Sequence, residues 1–397
     1  MAESFDSARA LILDRVTPLP TEEVKLIDAG ERILAGDIHA PCELPRWDNS
    51  AMDGYAVHCA DSQPGSKLLI CGYIPAGETA DHLEVTPGTA IKIMTGAPLP
   101  AGAQAVVPIE DASEENGTLH IRKPFQAGDH IRFRGEDIQQ GEPIISAGSL
   151  IRPSEINLLA SFGIQNVAVH RRPQVAILST GDELVEPGEP IGPGQIANSN
   201  AYSLAVAVKA VGGEPLLLGI ARDNQESLRE KLSVGLQTDA LITSAGVSMG
   251  DRDLVCEMLL EAGVEQLFWK VDIKPGRPTA FGMKDGRPVF SLPGNPVSTM
   301  VTFEEFVRPA LLKMQGHKQV IKPYAKAVLN ETVEKKPGRL QFMRVHLCEQ
   351  DDQLVASSSG NQHTAMVKTM LRANGIAVLP ADRRRIDAGE KVAVHRL

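Results

Sequence analysis

Between residues 239 and 300 the chain carries a glycine-rich turn, a pair of lysines with an arginine, and a second tight loop, a combination suited to holding oxyanions. The stretch reads DALITSAGVSMGDRDLV, then FWKVDIKPGRPTAFG, then VFSLPGNPVSTM. From Asp239 to Thr243 it is apolar and β-capable. Gly246, Ser248 and Gly250 follow, and from Asp251 onward Leu254, Met258, Leu259 and Ala262 recur at helical spacing. A strand that passes through a Gly/Ser turn into a helix aims backbone N–H groups and the helix dipole at one point, where anions bind. Lys270, Lys274 and Arg277 fall on the next strand and loop, placed to neutralise such an anion. Pro293-Gly294-Asn295-Pro296 makes another tight turn before a helix expected over 297–314, which includes Ser298. Together these residues predict a pocket for a phosphorylated or oxyanionic small molecule.

Two further polar clusters lie earlier in the chain. Asp48-Asn49-Ser50 and Asp53-Gly54 are turn signals, and the simplest reading of Asp53 is a solvated aspartate in a capped turn. Thr95-Gly96-Ala97-Pro98 is one polar loop, and the run from Arg132 to Asp137 is another. Arg132 and Arg134 alternate on one strand face with Asp137 close behind. That pattern suits a surface ion-pair ladder of little energy, or a charge-balanced clamp for an anion and a metal.

Competing motifs are weaker. Gly246-Val247-Ser248-Met249-Gly250 fits the GxSxG nucleophile elbow of a serine hydrolase, with Asp272 or Asp285 and His317, His346 or His363 to complete a triad. Those histidines have no signature around them, Asp251 and Asp253 crowd the serine, and a backbone anion cradle explains the same glycines. Gly192-Pro193-Gly194-Gln195-Ile196-Ala197 matches GxGxxA only nominally, because no strand leads into it and Pro193 removes an amide. GxxxxGK[ST] is absent.

The elements that must position these residues follow from pattern. At 397 residues the chain exceeds one ordinary core, so two to four domains are expected. Gly and Pro are frequent, 35 and 27 residues, which favours short elements joined by turns. With 4% aromatic residues and a net charge of −10, neither a base-stacking surface nor a nucleic-acid partner is expected. No apolar run is long enough to cross a membrane, the N-terminus lacks a signal-peptide pattern, and five cysteines without CxxC spacing indicate neither a disulfide frame nor a zinc cluster. A cytoplasmic protein is expected. Phe5, Ala8, Leu11 and Ile12 mark one face of an N-terminal helix over 3–15, and a short helical or mixed segment is expected from there to Ile38. Residues 55–140 read as all-β. From Gln174 strands and helices alternate, predicting a mainly parallel sheet with ligands at the carboxyl ends of its strands. Thr180-Gly181-Asp182-Glu183, Arg222-Asp223, the 244–250 turn and the 270–274 segment all fall at those ends, as a shared rim. After Pro323 short strands return, with one short helix over 364–371, predicting a small barrel or sandwich.

With these residues in view, the chain resembles the MoeA family of molybdopterin molybdenumtransferases, related to the gephyrin E domain and the plant Cnx1 E domain. The matching pieces run nearly end to end: DNSAMDGYA, IMTGAPLP, RGEDI, STGDEL, SAGVSMGDRD, WKVDIKPGRP, SLPGNPVS, and finally SSSGNQHTAM and RANGIAVLP. Each is short; their order along the whole chain makes the resemblance specific.

The resemblance implies a multidomain α/β plus β protein. Residues 1–20, 40–47 and 141–170 would form an elongated connecting and dimerisation domain, and 21–39 with 48–140 a β-rich domain inserted in it. Residues 171–322 would form a central three-layer α/β domain of molybdopterin-binding type, and 323–397 a small C-terminal β-barrel. It further implies a homodimer, with a cleft between the α/β domain of one subunit and the β-rich domain of the other. The implied reaction inserts molybdate into adenylylated molybdopterin with release of AMP. Matched by motif, Asp53, Thr95, Arg132 and Asp137 belong to the cleft on the β-rich side, and Glu183, Asp223, Asp253, Lys270 and Lys274 on the α/β side. Lys274 with Pro275, Ser298, Thr364 and either Arg339 or Arg344 would hold molybdate. Carboxylates facing phosphates repel unless a cation stands between them, so Mg²⁺ is expected at Asp53, Asp137, Glu183 and Asp253. Molybdopterin adenylyltransferase and molybdoenzymes or their chaperones are the implied transient partners. A non-catalytic scaffold on the same fold is a further alternative. Two positions depart from the family: Ala245 stands where glycine is usual, and Thr364 where serine is common.

Overall fold

The run QVAILST becomes a strand because its side chains alternate between two apolar layers, and the sheet around it positions most of the predicted site. In the computed structural model, which describes residues 2–245 and 254–397, the chain divides into two units. One holds residues 1–36, 148–156 and 165–397; the other holds 37–147 and 157–164.

The N-terminal helix α1 (Phe5–Arg15) begins at Ser4, whose hydroxyl oxygen accepts from the Ser7 amide at 3.2 Å. Phe5, Ala8 and Ile12 are buried and Leu11 packs beside them, as the helical spacing predicts. Phe5 is fixed against Phe306 and Phe342, with ring centroids 5.5 and 5.0 Å away, so α1 ties the helical segment at 303–314 to the C-terminal barrel. The segment after Pro20 is mixed, a strand followed by a 3₁₀ turn at Leu26–Asp28. Thr21–Lys25 is a strand, antiparallel to Asn166–His170, and belongs to the same unit as α1. Its partner lies some 140 residues away in sequence, where no local periodicity can announce it.

In the second unit, β1 (Gly54–Val57), β2 (Lys67–Ile74), β3 (Thr89–Ile93), β4 (Ala105–Pro108), β5 (Ala112–Glu115) and β6 (Thr118–Ile121) form a six-stranded sheet in the order β4-β1-β3-β2-β6-β5. Tyr55, Val57, Leu68 and Leu119 sit on one side of it, and Ala56, Ile74, Ile91 and Val106 on the other. The sheet is thus the all-β module expected over 55–140.

In the first unit, β7 (Gln174–Thr180), α2 (Ser199–Ala210), β8 (Glu214–Ala221), α3 (Gln225–Gly235), β9 (Ala240–Ser244), α4 (Leu254–Glu261), β10 (Glu265–Phe268), β11 (Ala280–Lys284), β12 (Arg287–Leu292) and α5 (Pro296–Thr302) follow in turn. The sheet order is β8-β7-β9-β12-β11-β10, parallel from β8 to β12 and antiparallel at β11 and β10. Val175, Ile177 and Ile242 face the layer containing α2 and α5; Ala176, Leu178 and Leu241 face the layer containing α3 and α4. Both faces are covered, which explains the nearly unbroken apolar run in each central strand.

The N-terminal ends of β7 and β9 are joined by an ion pair. Arg171 grips the Asp239 carboxylate with bonds of 2.7 and 2.6 Å, and the Gln174 amide adds a third at 2.8 Å. Burial pushes the Asp239 carboxyl up, but the Arg171 and Gln174 bonds outweigh it and hold the group below its ordinary value. A carboxyl depressed on folding stabilises above its unfolded pKa of about 3.9 and loses that contribution as pH falls through the folded value. Denaturant melts of Asp239→Asn should therefore show about 1–2 kcal/mol less stability than the parent at pH 7, discounted for an Arg171 side chain that is 40% exposed, and a gap that closes below about pH 4.

The last domain is a closed barrel. Strands β13 (Ala325–Leu329), β14 (Leu340–Gln350), β15 (Gln353–Ser358), β16 (Gly375–Leu379) and β17 (Lys391–Arg396) pair in the order β14-β15-β13-β17-β16, and β16 pairs back onto β14. The short strand Ile273–Lys274 from the α/β domain adds to the start of β14. No disulfide joins any of the described cysteines. No described helix is long and apolar enough to cross a membrane.

Candidate functional site

The predicted rim exists in part as a cavity of about 670 Å³ at the carboxyl ends of β7, β9 and β12. Glu183, Ser244, Ala245, the turn Pro293 to Pro296 and Ala365 of the barrel domain all line it. Its floor is polar. Asn200 donates through Nδ2 to Ser244 Oγ at 2.9 Å and to the Gly294 carbonyl at 2.8 Å, joining the two loops the sequence singled out. Asn200 Oδ1 is buried without a partner, which leaves a polar atom in the cavity lining for a ligand to satisfy. Ser298, on α5 just past the Pro293–Pro296 turn, is buried. Asp223 and Asp182 link the neighbouring strand ends: the Asp223 amide donates to Asp182 Oδ1 at 3.2 Å, and the Arg222 guanidinium donates to the carbonyls of Asp182 and Leu184.

Ala245 adopts φ +77°, a left-handed conformation that costs an L-residue roughly 1–2 kcal/mol. Its amide is held by the Leu292 carbonyl at 3.1 Å, so the conformation is imposed by the sheet. Ala245→Gly should remove that strain and raise unfolding free energy by about 0.5–1 kcal/mol in urea titration, the gain being partly offset by glycine's larger unfolded-state entropy.

A group of cationic residues lies where the α/β domain meets the barrel, and none of them is in the lining of that cavity. Lys274 is exposed on the short strand beside Leu340 and Gln341, and Pro275 behind it is buried. Lys270 is half-buried, and its carbonyl accepts from the Glu3 amide at 2.8 Å. Arg277 pairs loosely with Asp272 at 3.9 Å. Lys335, which sequence reasoning missed, is buried with Nζ donating to the carbonyls of Pro380 at 2.8 Å and Arg383 at 3.0 Å. Burial pushes its amine down, Asp382 opposes that, and the nearby charge of Lys274 lowers it further. A lysine in a strand-edge KKPG run carries no signal of such burial.

Arg339 is exposed, whereas Arg344 is fully buried. Arg344 Nε donates to Thr369 Oγ1 at 2.8 Å, and its Nη2 to the carbonyls of Asn361 at 3.1 Å and His363 at 3.3 Å. These bonds fasten the loop carrying Thr364. Arg344 Nη1 is buried with no partner.

In the β-rich unit, two polar loops are directly bonded. Asp53 Oδ1 accepts from both the Thr95 amide and the Thr95 hydroxyl at 2.8 Å, and these bonds, the amide first, hold its carboxyl below the ordinary range. Asp53 is thus more than a solvated turn residue. Arg132 and Asp137 line one cavity of about 950 Å³, while Arg134 turns to Glu43 at 2.9 Å. The ladder and the clamp are therefore divided between the two arginines. Gly246, Ser248, Gly250 and Asp253 lie outside the described residues, so the predicted cradle and elbow do as well. Among the described residues, no three His, Cys, Asp or Glu side chains gather as a metal-binding group.

A mainly parallel α/β sheet with a cavity at its strand ends, extended by a closed barrel that contributes a loop to the same cavity, defines a multidomain class with a small-molecule-sized site. Family models match the chain in three consecutive stretches: the MoeA N-terminal region (domain I and II) over residues 3–163, a probable molybdopterin binding domain over 176–313, and the MoeA C-terminal region (domain IV) over 326–397. The molybdopterin molybdenumtransferase of Haemophilus influenzae is 37% identical over 98% of each chain, and that of Bacillus subtilis 34% identical over 96% of this chain and 95% of its own. The crystal structure of the molybdopterin biosynthesis MoeA protein from Pyrococcus horikosii superposes with a TM-score of 0.86 at 32% identity, covering 100% of this chain and 99% of that one. The chain belongs to the MoeA family.

Proposed function

We propose that this protein is a transferase of molybdenum cofactor biosynthesis that inserts molybdate into adenylylated molybdopterin and releases AMP. The observation that carries this reading is the 670 Å³ cavity, where the loops of three strand ends and the barrel's Ala365 converge around Asn200, whose buried Oδ1 is unsatisfied. Two phosphates and a molybdate bring several negative charges, and Lys270, Lys274 and the backbone around Pro293 to Asn295 supply the opposing field. For molybdate we assign Lys274, Pro275, Ser298, Thr364 and, of the two arginines, Arg344. Its buried Nη1 lacks an acceptor that an oxyanion provides, whereas Arg339 is solvated. The two dithiolene sulfurs then replace molybdate oxygen, which leaves as water, and water adds at phosphorus as the pyrophosphate P–O bond breaks and frees AMP.

Mg²⁺ fits the acidic residues by donor chemistry. It prefers oxygen, and is commonly held by one or two carboxylates plus substrate phosphates instead of an all-protein cage. Asp53 keeps Oδ2 available beyond its Thr95 bonds, and Asp137 is exposed; with Glu183 and Asp253 they would hold the ion. When bound, Mg²⁺ would neutralise the pyrophosphate oxygens and ease departure of AMP. We further propose a cytoplasmic homodimer in which the β-rich unit of one copy completes the site of the other. It would receive substrate from molybdopterin adenylyltransferase and pass product to molybdoenzymes or their chaperones.

The test is AMP release by the pure protein from adenylylated molybdopterin. Release that requires both molybdate and a divalent cation supports the reading. Partner capture without turnover would favour a scaffold, and fluorophosphonate labelling of Ser248 a hydrolase.

A further inference from the structure

Trp47 is 51% exposed, an unusual setting for the largest apolar side chain in a protein with 4% aromatic residues. It lines two adjoining cavities of the β-rich unit, of about 950 and 580 Å³, and Arg46 and Gly96 line both with it. The backbone under the indole is held from several sides. The Trp47 carbonyl accepts from Asn49 Nδ2 at 3.1 Å, Asp48 Oδ1 from the Arg134 amide at 2.7 Å, and the Asp48 carbonyl from the Leu99 amide at 3.0 Å. The ring is therefore presented on a braced frame, and its exposure does not arise from slack chain.

Its charged neighbours are the second observation. Arg46 and Arg132 line the larger cavity with Trp47, and their guanidinium groups have no hydrogen-bonding or ionic partner among the described residues, in contrast to Arg134, which Glu43 holds. Asp137 supplies a carboxylate to the same cavity. A π face, two unengaged guanidinium groups and an acceptor match one ligand chemistry: a planar, amino-substituted nitrogen heterocycle linked to a phosphate. The ring would stack on the indole, its exocyclic amine would donate to Asp137, and the phosphate would accept from Arg46 and Arg132.

We infer that Trp47 is the stacking platform for the heterocycle of the substrate, with Arg46 and Arg132 holding the phosphate beside it. The choice of ligand rests on the proposed function, whose substrate carries two such rings, the adenine and the pterin. The chain has two tryptophans, so a Trp269→Phe background leaves Trp47 as the reporter. Full-length protein is titrated with AMP, with 6-carboxypterin and with ribose 5-phosphate, following heat of binding for each and indole fluorescence for AMP. AMP quenching the indole, and weakening about ten-fold or more in Trp47→Ala but not in Trp47→Phe, supports adenine stacking. The same dependence seen by calorimetry for the pterin alone supports stacking of the other ring. Ribose 5-phosphate should bind equally to the parent and Trp47→Ala, and more weakly to Arg46→Ala. Equal affinity of parent and Trp47→Ala for both ring compounds overturns the inference. If molybdate-dependent AMP release persists in that case, the proposed function stands. If ring binding depends on Trp47 but no AMP is released from adenylylated molybdopterin, the function is wrong and the platform remains.

Discussion

Lys274→Ala should lower molybdate-dependent AMP release by about 10²–10³-fold, the usual loss when a preorganised group that stabilises a developing oxyanion is removed. Several observations single out this lysine. Its backbone is fixed by parallel pairing of Ile273 and Lys274 with Leu340 and Gln341, and Pro275 behind it is buried. Its ammonium forms no ion pair among the described residues, so its charge is not already spent on a carboxylate. The buried Lys335 senses it, and two cations in mutual reach are tolerated most readily where an anion comes to rest. Because Lys274 is exposed, truncation should leave thermal stability nearly unchanged, which separates lost chemistry from lost folding. Asp53→Asn should likewise be inactive yet folded. Its consequence for assembly is sharper. If each site joins residues of two subunits, mixing the two inactive variants under subunit exchange should restore about one quarter of parental activity, since about half the dimers are mixed and each has one intact site. No recovery in demonstrably mixed dimers would rule out a site shared between copies.

Arg344→Leu should cost about 3 kcal/mol of stability, the largest structural effect expected from one change in the barrel domain. The guanidinium is fully buried, and three of its bonds hold Thr369 and the carbonyls of Asn361 and His363. Leucine would leave the buried Thr369 hydroxyl and the part-buried carbonyls of Asn361 and His363 without that donor. Burial already lowers the Arg344 pKa from its ordinary value, so the charge sits at a desolvation cost that these acceptors offset only in part. Arg339→Ala, by contrast, should fall within about 0.5 kcal/mol of the parent. Added molybdate supplies the decisive comparison, because a ligand that binds only the folded state raises Tm with concentration. Molybdate should raise Tm in the parent and in Arg339→Ala. It should do so much less in Arg344→Lys, which retains a charge but loses the fork that leaves Nη1 free. A full molybdate shift in Arg344→Lys would return the assignment to Arg339.

The contrast between these two arginines shows what kind of information a sequence holds. Both occur in one short stretch, and nothing in RLQFMR separates them. Which one is buried depends on the barrel closing between β14 and β16 and on the loop at 359–369 folding over that seam. The same holds for Asp53. Its turn was legible from Asp53-Gly54, but its two bonds to Thr95 arise because β1 and β3 lie side by side. Helix α2 begins at Ser199, and the Asn198 side chain before it bonds Ser179 and Glu186 instead of capping the helix. The helix expected over 364–371 forms only over Lys368–Arg372, because the preceding residues are drawn to Arg344.

By itself the sequence determined whatever depends on neighbours in the chain. That covers the amphipathic face of α1, the apolar strands of the α/β domain, the all-β character of 55–140, the tight Pro293–Pro296 turn and the motif order that marks the family. Tertiary structure alone decided which distant segments pair: Thr21–Lys25 with Asn166–His170, the barrel's closure, the burial of Lys335, and the joining of Asn200 to Ser244 and Gly294. The physical reason is that periodicity and turn chemistry report local backbone preference. Burial and hydrogen-bond satisfaction are instead settled by contacts between residues far apart in the chain, whose side chains carry no mark of their eventual partners.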